Sequence, residues 1–323
     1  MASAPDSTTG RPDRVAGALL GVHAGDALGA TVEFDSWEYI RFRYPGGVRE
    51  IMGGGVFEWP PGHATDDTDL TRAVALAYLD PGDDVVLAAA RRMLNWYEGD
   101  WPGRAPGRPP VDVGGATEDG LRAFAQTGDP GGSGAGPGRA GNGSLMRCIP
   151  TALAVRDRDR RIRDSMRISA VTHSDVRCTV ACAAYNEIVA ALVDGVAANG
   201  AVAAGAAVAR ELHNTDVLAA IALGERLDLA ELARTGVTGL PDDGNGYVLD
   251  SLALAVAAVL DLRDLTDVLI DIVALGNDSD TNAAIAGGLL GARDGASSIP
   301  DGWLSLLQFR VEFTEIAAVF GRR

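Results

Sequence analysis

Two short acidic runs, more than half the chain apart, constrain this sequence more than any other feature. Thr65-Asp66-Asp67-Thr68-Asp69 and Gly276-Asn277-Asp278-Ser279-Asp280-Thr281 each stand just ahead of an apolar segment with helical spacing, Leu70 to Leu79 and Ala283 to Leu290. Ser, Thr and Asp at a helix start cap free backbone N–H groups and sit well at the positive end of the helix dipole. Capping accounts for either run taken singly. Two runs, each with more carboxylate than a cap uses, point instead to a shared hard cation. If they meet, one closed domain must contain both ends of the chain.

The rest of the pattern is helical. Apolar spacing predicts helices over 70–79, 84–97 and from the Val111 region to Ala125, then over 161–172, 176–194, 200–212, 216–233, 247–261, 264–275, 282–293 and 301–320. Period-2 alternation is almost absent, so the expected class is all-α. There is no repeat of fixed period and no linker with a shift in composition. We expect a polar, disordered tail over 1–12 and a compact single domain over 13–323. Asp13 to Ala30 carries glycine at every fourth position, Gly17, Gly21, Gly25 and Gly29. That stripe lowers helix propensity but lets another backbone come close. Asp26 and Glu33, in and just after this apolar stretch, must be paired, capped or bound to something. Segments 46–63, 99–110 and 128–143 are rich in Gly and Pro and read as loops.

Composition removes several chemistries. The 323 residues are 47% hydrophobic, enough for a large core, and the net charge of −16 disfavours nucleic acid and anionic membrane as partners. All 28 basic side chains are arginine, which excludes a P-loop, a pyridoxal Schiff base and a kinase site. Cys148, Cys178 and Cys182 are an odd set without disulfide spacing and read as core residues of a protein in a reducing compartment. The N-terminus lacks an apolar signal core, and the apolar run Gly195 to Val208 is too weak for a membrane span. The expected location is cytoplasmic.

Asp66, Asp67, Asp278 and Asp280, with Glu33 as a fifth acid, would repel one another strongly without a counter-charge. One or two divalent cations resolve this, and oxygen-only ligands suit Mg2+, Mn2+ or Ca2+ rather than Zn2+. Asp278 to Thr281 lacks the twelve-residue pattern of an EF-hand. Gly141-Asn142-Gly143-Ser144, feeding an expected helix with Leu145, Met146, Arg147 and Ile149, reads either as an anion cradle or as a glycine turn with a cap. His173-Ser174-Asp175 cannot form a catalytic triad, because three consecutive residues do not converge, and no Gly-x-Ser-x-Gly elbow is present.

The ordered set Gly25-Asp26-Ala27-Leu28-Gly29 with Glu33, Thr65-Asp66-Asp67-Thr68, Gly141 to Arg147, Thr172-His173 and Gly276 to Asn282 resembles the ADP-ribosylglycohydrolase family. The likeness is strongest to its bacterial dinitrogenase reductase-activating glycohydrolase branch and runs from about Arg14 to about Ala292. Gly246 to Leu252 also looks like the family's segment before its late helices. The resemblance implies a compact all-α fold around two Mg2+ or Mn2+ ions, hydrolysing the bond between ADP-ribose and a protein side chain. It implies Thr65, Asp66, Asp67, Asp278, Asp280 and Thr281 as metal ligands, with Asp67 and Asp278 also serving catalysis. It implies Glu33 as a gating or catalytic carboxylate and Asp112 as a group assisting proton transfer. Gly141, Asn142, Gly143 and Ser144 would approach the diphosphate and ribose, with Arg147 and His173 near the ligand. The sequence departs from the commonest pattern at Asn277, Ser279 and Asp69; the last would add negative charge near the metals.

An ADP-ribosylated protein is thus the expected substrate, modified on arginine, and ADP-ribose the product. Within the same class stand ADP-ribosylserine and O-acetyl-ADP-ribose. From other classes stand a non-catalytic ADP-ribose-binding relative and a structural Ca2+ protein, and the full acidic set with Glu33 speaks against both.

Overall fold

Sixteen α-helices make up nearly all the regular structure among residues 10–80, 82, 84–236 and 239–323, those that this computed structural model describes. They are α1 (Arg11–Gly29), α2 (Trp37–Arg43), α3 (Asp66–Ala77), α4 (Val85–Glu98), α5 (Gly115–Thr127), α6 (Pro150–Ala154), α7 (Arg158–Ala170) and α8 (Val176–Val193). The second half holds α9 (Ala198–Glu211), α10 (Thr215–Gly224), α11 (Leu229–Thr235), α12 (Val248–Leu260), α13 (Leu265–Val273), α14 (Ser279–Asp294), α15 (Asp301–Leu306) and α16 (Arg310–Phe320). Among these residues β-pairing is limited to isolated bridges, Gly54 with Trp59, Ala135 with His173 and Gly141 with Tyr247. The all-α class expected from periodicity is the class observed.

The glycine stripe is where the two ends of the chain join. A Cβ on Gly17, Gly21 or Gly25 would overlap the carbonyl oxygens of Gly291, Gly287 or Ala283 in turn, and one on Gly29 would press on Ser279 and Asp280. Helices α1 and α14 therefore run backbone against backbone, closer than any side chain permits. Ser279 Oγ donates to Gly29 O at 2.9 Å and fixes the register at the site end. Around this pair lie α3, α8, α12, α13 and α16. Helix α8 is apolar along its length because neighbours surround it, not because it crosses a membrane; 83% of its residues are buried.

Several boundaries differ from the expectation. Residues 1–9 lie outside the described residues, and α1 begins at Arg11 with Pro12 in its first turn, so Arg11 and Pro12 belong to the helix and not to the tail. The predicted 216–233 segment is two helices, because Asp228 accepts from the Glu231 N–H and starts α11 afresh. The predicted 301–320 segment also breaks, at Gln308. Its N–H donates to Gly62 O at 3.0 Å and its Oε1 accepts from the Ala64 N–H at 3.1 Å, so long-range bonds win over helix continuity. Residues 143–147 form turns and the helix starts only at Pro150, so Ser144 does not open a helix. Pro is at home in that first turn and has no N–H to extend a helix behind it.

Candidate active site

Asp26, buried in α1, fixes the first acidic run. Its Oδ2 accepts from the N–H groups of Thr65 and Thr68, both at 3.2 Å, and from the Thr68 hydroxyl. The acid that apolar surroundings made conspicuous is thus the cap of α3. Thr65 caps the same helix in the ordinary way, its Oγ1 accepting from the Asp67 N–H.

The second run is aimed by two consecutive left-handed residues, Gly276 (φ 76°) and Asn277 (φ 55°). Asn tolerates this conformation better than other non-glycine residues, which accounts for Asn at a position whose left-handed backbone suits glycine. Asn277 N–H donates to Asp35 O at 2.9 Å and Phe34 N–H to Asn277 O at 2.7 Å. This double bond to the segment after α1 sets Glu33 beside Asp278 and Asp280. Phe34 itself is left-handed (φ 64°), a strained state for a bulky residue.

The two runs meet at Asp67. Its Oδ2 accepts from Thr65 Oγ1 and from Thr281 Oγ1, each at 3.2 Å, while its Oδ1 is buried with no partner. Glu33 Oε2 is likewise buried without a partner. Glu33, Asp112 and Asp280 each bring a carboxylate oxygen within 4.8 Å of the others. A cavity of about 260 Å3 opens over this group, walled by Glu33, Phe34, Asp66, Asp112, Gly114 to Thr117, Gly141 to Gly143, Met146, His173, Gly246, Asp278, Asp280 and Thr281. Thr65 and Asp67 are not among its walls.

Burial and mutual repulsion push these acids up together. Burial and the charges of Asp112, Asp278 and Asp26 raise Glu33 to about 9, and burial with Asp278 raises Asp112 to about 6. Asp66, Asp67 and Asp280 rise well above the carboxylate range, first by burial and then by one another and Glu33 or Asp112. Asp278 also rises with burial, although Asn142 Nδ2 donates to it at 2.6 Å. Orphaned buried oxygens, an oxygen-only donor set and acids held up by their like neighbours fit a hard divalent cation.

The predicted ligand loop divides. Gly141, Asn142, Gly143 and His173 line the cavity, and a Cβ on Gly143 would come 3.0 Å from His173 Cε1. Burial drives His173 down to about 3, so it is neutral, and its Nδ1 pairs with Thr172 Oγ1 at 2.8 Å. Ser144 turns away, accepting from Ser169 Oγ at 2.9 Å and packing by Cys182. Arg147 is fully buried beneath the loop, donating to Gly143 O and, at 2.6 Å, to Thr172 Oγ1. Both corrections have one cause: with no helix after Ser144, the turn points these side chains into the core. Asp69 also faces away, accepting from Trp96 Nε1 at 2.8 Å, with Arg104 Nη2 3.7 Å off.

Two contributors were missed by the sequence reading. Asn142 Nδ2 also donates to Ser251 Oγ at 3.0 Å, and Ser251 donates to Asn282 Oδ1 at 2.7 Å, so a buried relay steadies Asp278. The sequence signals were the position of Ser251 within the family-like stretch Gly246 to Leu252 and of Asn282 at the end of Gly276 to Asn282.

The sequence pattern of the ADP-ribosylglycohydrolase family matches residues 7–323. The chain belongs to that family. Members are glycosidic-bond hydrolases, so this chain is an enzyme of that class. It is 31% identical over 304 residues to the ADP-ribosyl dinitrogen reductase glycohydrolase of Rhodospirillum rubrum, covering 93% of this chain and 92% of the relative. It is 28% identical over 309 residues to the ADP-ribosylarginine hydrolase Tri1 of Serratia proteamaculans, covering 94% and 78%. A solved structure titled an ADP-ribosylglycohydrolase-related protein complex superposes with a TM-score of 0.75 at 31% identity, covering 97% of this family member and 98% of that chain.

Proposed function

We propose that this enzyme frees arginine side chains of a modified protein from ADP-ribose by hydrolysing the C1″–N bond. Two divalent cations, Mg2+ or Mn2+, would be held by Thr65, Asp66, Asp67, Asp278, Asp280 and Thr281. The meeting of both acidic runs at Asp67, with its second oxygen buried and unpartnered, is the observation that carries this reading. Relatives named for ADP-ribosylarginine support the linkage. Bound cations would supply Lewis-acid polarisation and orient the ribose hydroxyls.

The chain's own residues supply the rest. Gly141 and Gly143 leave room for backbone to approach the diphosphate, and neutral His173 offers hydrogen bonds without charge. Glu33, with a carboxylate oxygen within 4.8 Å of Asp112 and Asp280, is placed to hydrogen-bond a ribose hydroxyl. Asp112, on the wall of the same cavity, takes a proton from the attacking water. The water oxygen bonds to C1″ while the C1″–N pair leaves with nitrogen. A substituted guanidinium departs as neutral guanidine and then takes the proton from Asp112, so no general acid is needed at departure. A serine alkoxide would need one, which favours arginine.

Release of ADP-ribose from arginine-, serine- and acetyl-linked substrates tests this reading. The arginine conjugate is expected to show the highest kcat/KM. Turnover of the serine or acetyl conjugate with none of the arginine conjugate contradicts it.

A further inference from the structure

A second cavity, of about 180 Å3, adjoins the first and shares Asp66 and Asp112 with it. Away from that junction its walls are Trp59, His63, Trp96, Arg104 and Gln308. Trp59 stacks on His63 with centroids 4.8 Å apart and planes 18° from parallel, so the wall includes a flat aromatic face. Three N–H donors in it are buried and hydrogen-bond nothing among the described residues: Trp59 Nε1 and both terminal nitrogens of Arg104. Arg104 is held over the Trp96 ring at 5.2 Å. The cavity thus has acceptors at the junction, the Arg104–Asp69 pair at its far end with Arg104 Nη1 and Trp59 Nε1 as free donors, and an aromatic wall alongside.

That order matches one ligand. A guanidinium carries only donors, is planar and cationic, and pairs with carboxylates while its flat face lies on an aromatic ring. The peptide backbone behind it presents carbonyl acceptors. We infer that this second cavity receives the modified arginine of the target protein, its guanidinium at Asp112 beside Trp59, and its backbone carbonyl at Arg104. The inference rests on the function proposed above. It makes Trp59 and Arg104 specificity residues for the leaving side, separate from the ADP-ribose side. A serine side chain, being short, would leave the idle donors unreached.

The test uses the full chain with Mn2+ and three probes: an ADP-ribosylarginine peptide, ADP-ribosylagmatine, which has the guanidinium but no backbone carbonyl, and ADP-ribose itself. Trp59→Ala is expected to raise KM for both conjugates about tenfold while the Kd of ADP-ribose stays within about twofold, and Trp59→Phe to recover most of the loss. Arg104→Gln is expected to cut the preference for the peptide over the agmatine conjugate about tenfold. Equal weakening of ADP-ribose and of the conjugates would move the cavity to the nucleotide side and overturn the inference. Unchanged KM values in Trp59→Ala and Arg104→Gln, in enzyme that turns over, would overturn it alone. A wild type that releases no ADP-ribose from any linkage overturns the parent reading as well.

Discussion

The two N–H bonds of the Asn142 amide go to Asp278 and Ser251, so a residue placed in the ligand loop by its motif also positions a carboxylate. Partners behind a metal ligand commonly matter about 10- to 100-fold in affinity or activity. Ser251→Ala removes one acceptor from Asn142 and the donor to Asn282. Its Mn2+ affinity, measured by calorimetry, is expected to fall by about tenfold or more with the helical spectrum intact; an unchanged affinity would remove Ser251 from the site. At this scale much of the site was legible. Residue type and order announced Glu33, Asp66, Asp67, Asp278 and Asp280 as an acid cluster, whereas Asp112 was legible only through the family resemblance. Ser144, Arg147 and Asp69 were misdirected because side-chain direction depends on whether a turn or a helix carries it, and spacing does not reveal that. Asn277 shows the reverse case: a departure from the family pattern that a single positive φ explains.

Helices α1 and α14 carry the site's accuracy. Gly21→Ala gains about 1 kcal/mol of helix propensity, yet its Cβ would overlap the Gly287 carbonyl oxygen. Overpacking costs about 1–3 kcal/mol and sometimes more, so a net loss of stability is expected in urea titration. Activity should drop further than stability does, because separating the helices draws Glu33 away from Asp280. Gly302→Ala, in α15 with open space around it, is the contrast and is expected to be neutral or stabilising by up to about 1 kcal/mol. Equal effects of the two substitutions would deny the backbone-to-backbone contact. The stripe was readable as close packing, but its partner was not, because α14 answers it at the same spacing with mixed small residues, Ser279, Ala283, Gly287 and Gly291, of which only two are glycine. The breaks at Gln308 and after α10 were hidden for a related reason, since bonds to distant residues and a fresh cap decide them.

In the whole molecule, the acid cluster opposes folding until a counter-charge arrives. Glu33 binds its proton to about pH 9 when folded, whereas an unfolded glutamate ionises near 4.3. The folded state therefore holds more protons between these values, and stability falls as pH rises through that window. His23 and His173, both driven down to about 3 by burial, act in the opposite direction only below about pH 6.5. Between pH 6.5 and 9 the metal-free protein is expected to lose Tm steadily, and saturating Mg2+ or Mn2+ to flatten the slope by replacing the protons. A metal-free Tm that rises over this range would contradict the clustering. The most direct test strips the protein with chelator and follows ADP-ribose release from an ADP-ribosylarginine protein as Mn2+ is added back, in wild type and in Asp67→Asn. The wild type is expected to regain turnover with added metal, and Asp67→Asn to remain at least about 100-fold slower at the same concentration. Full release by chelated wild type, or Asp67→Asn restored to the wild-type rate, would contradict a cation site formed where the two acidic runs meet.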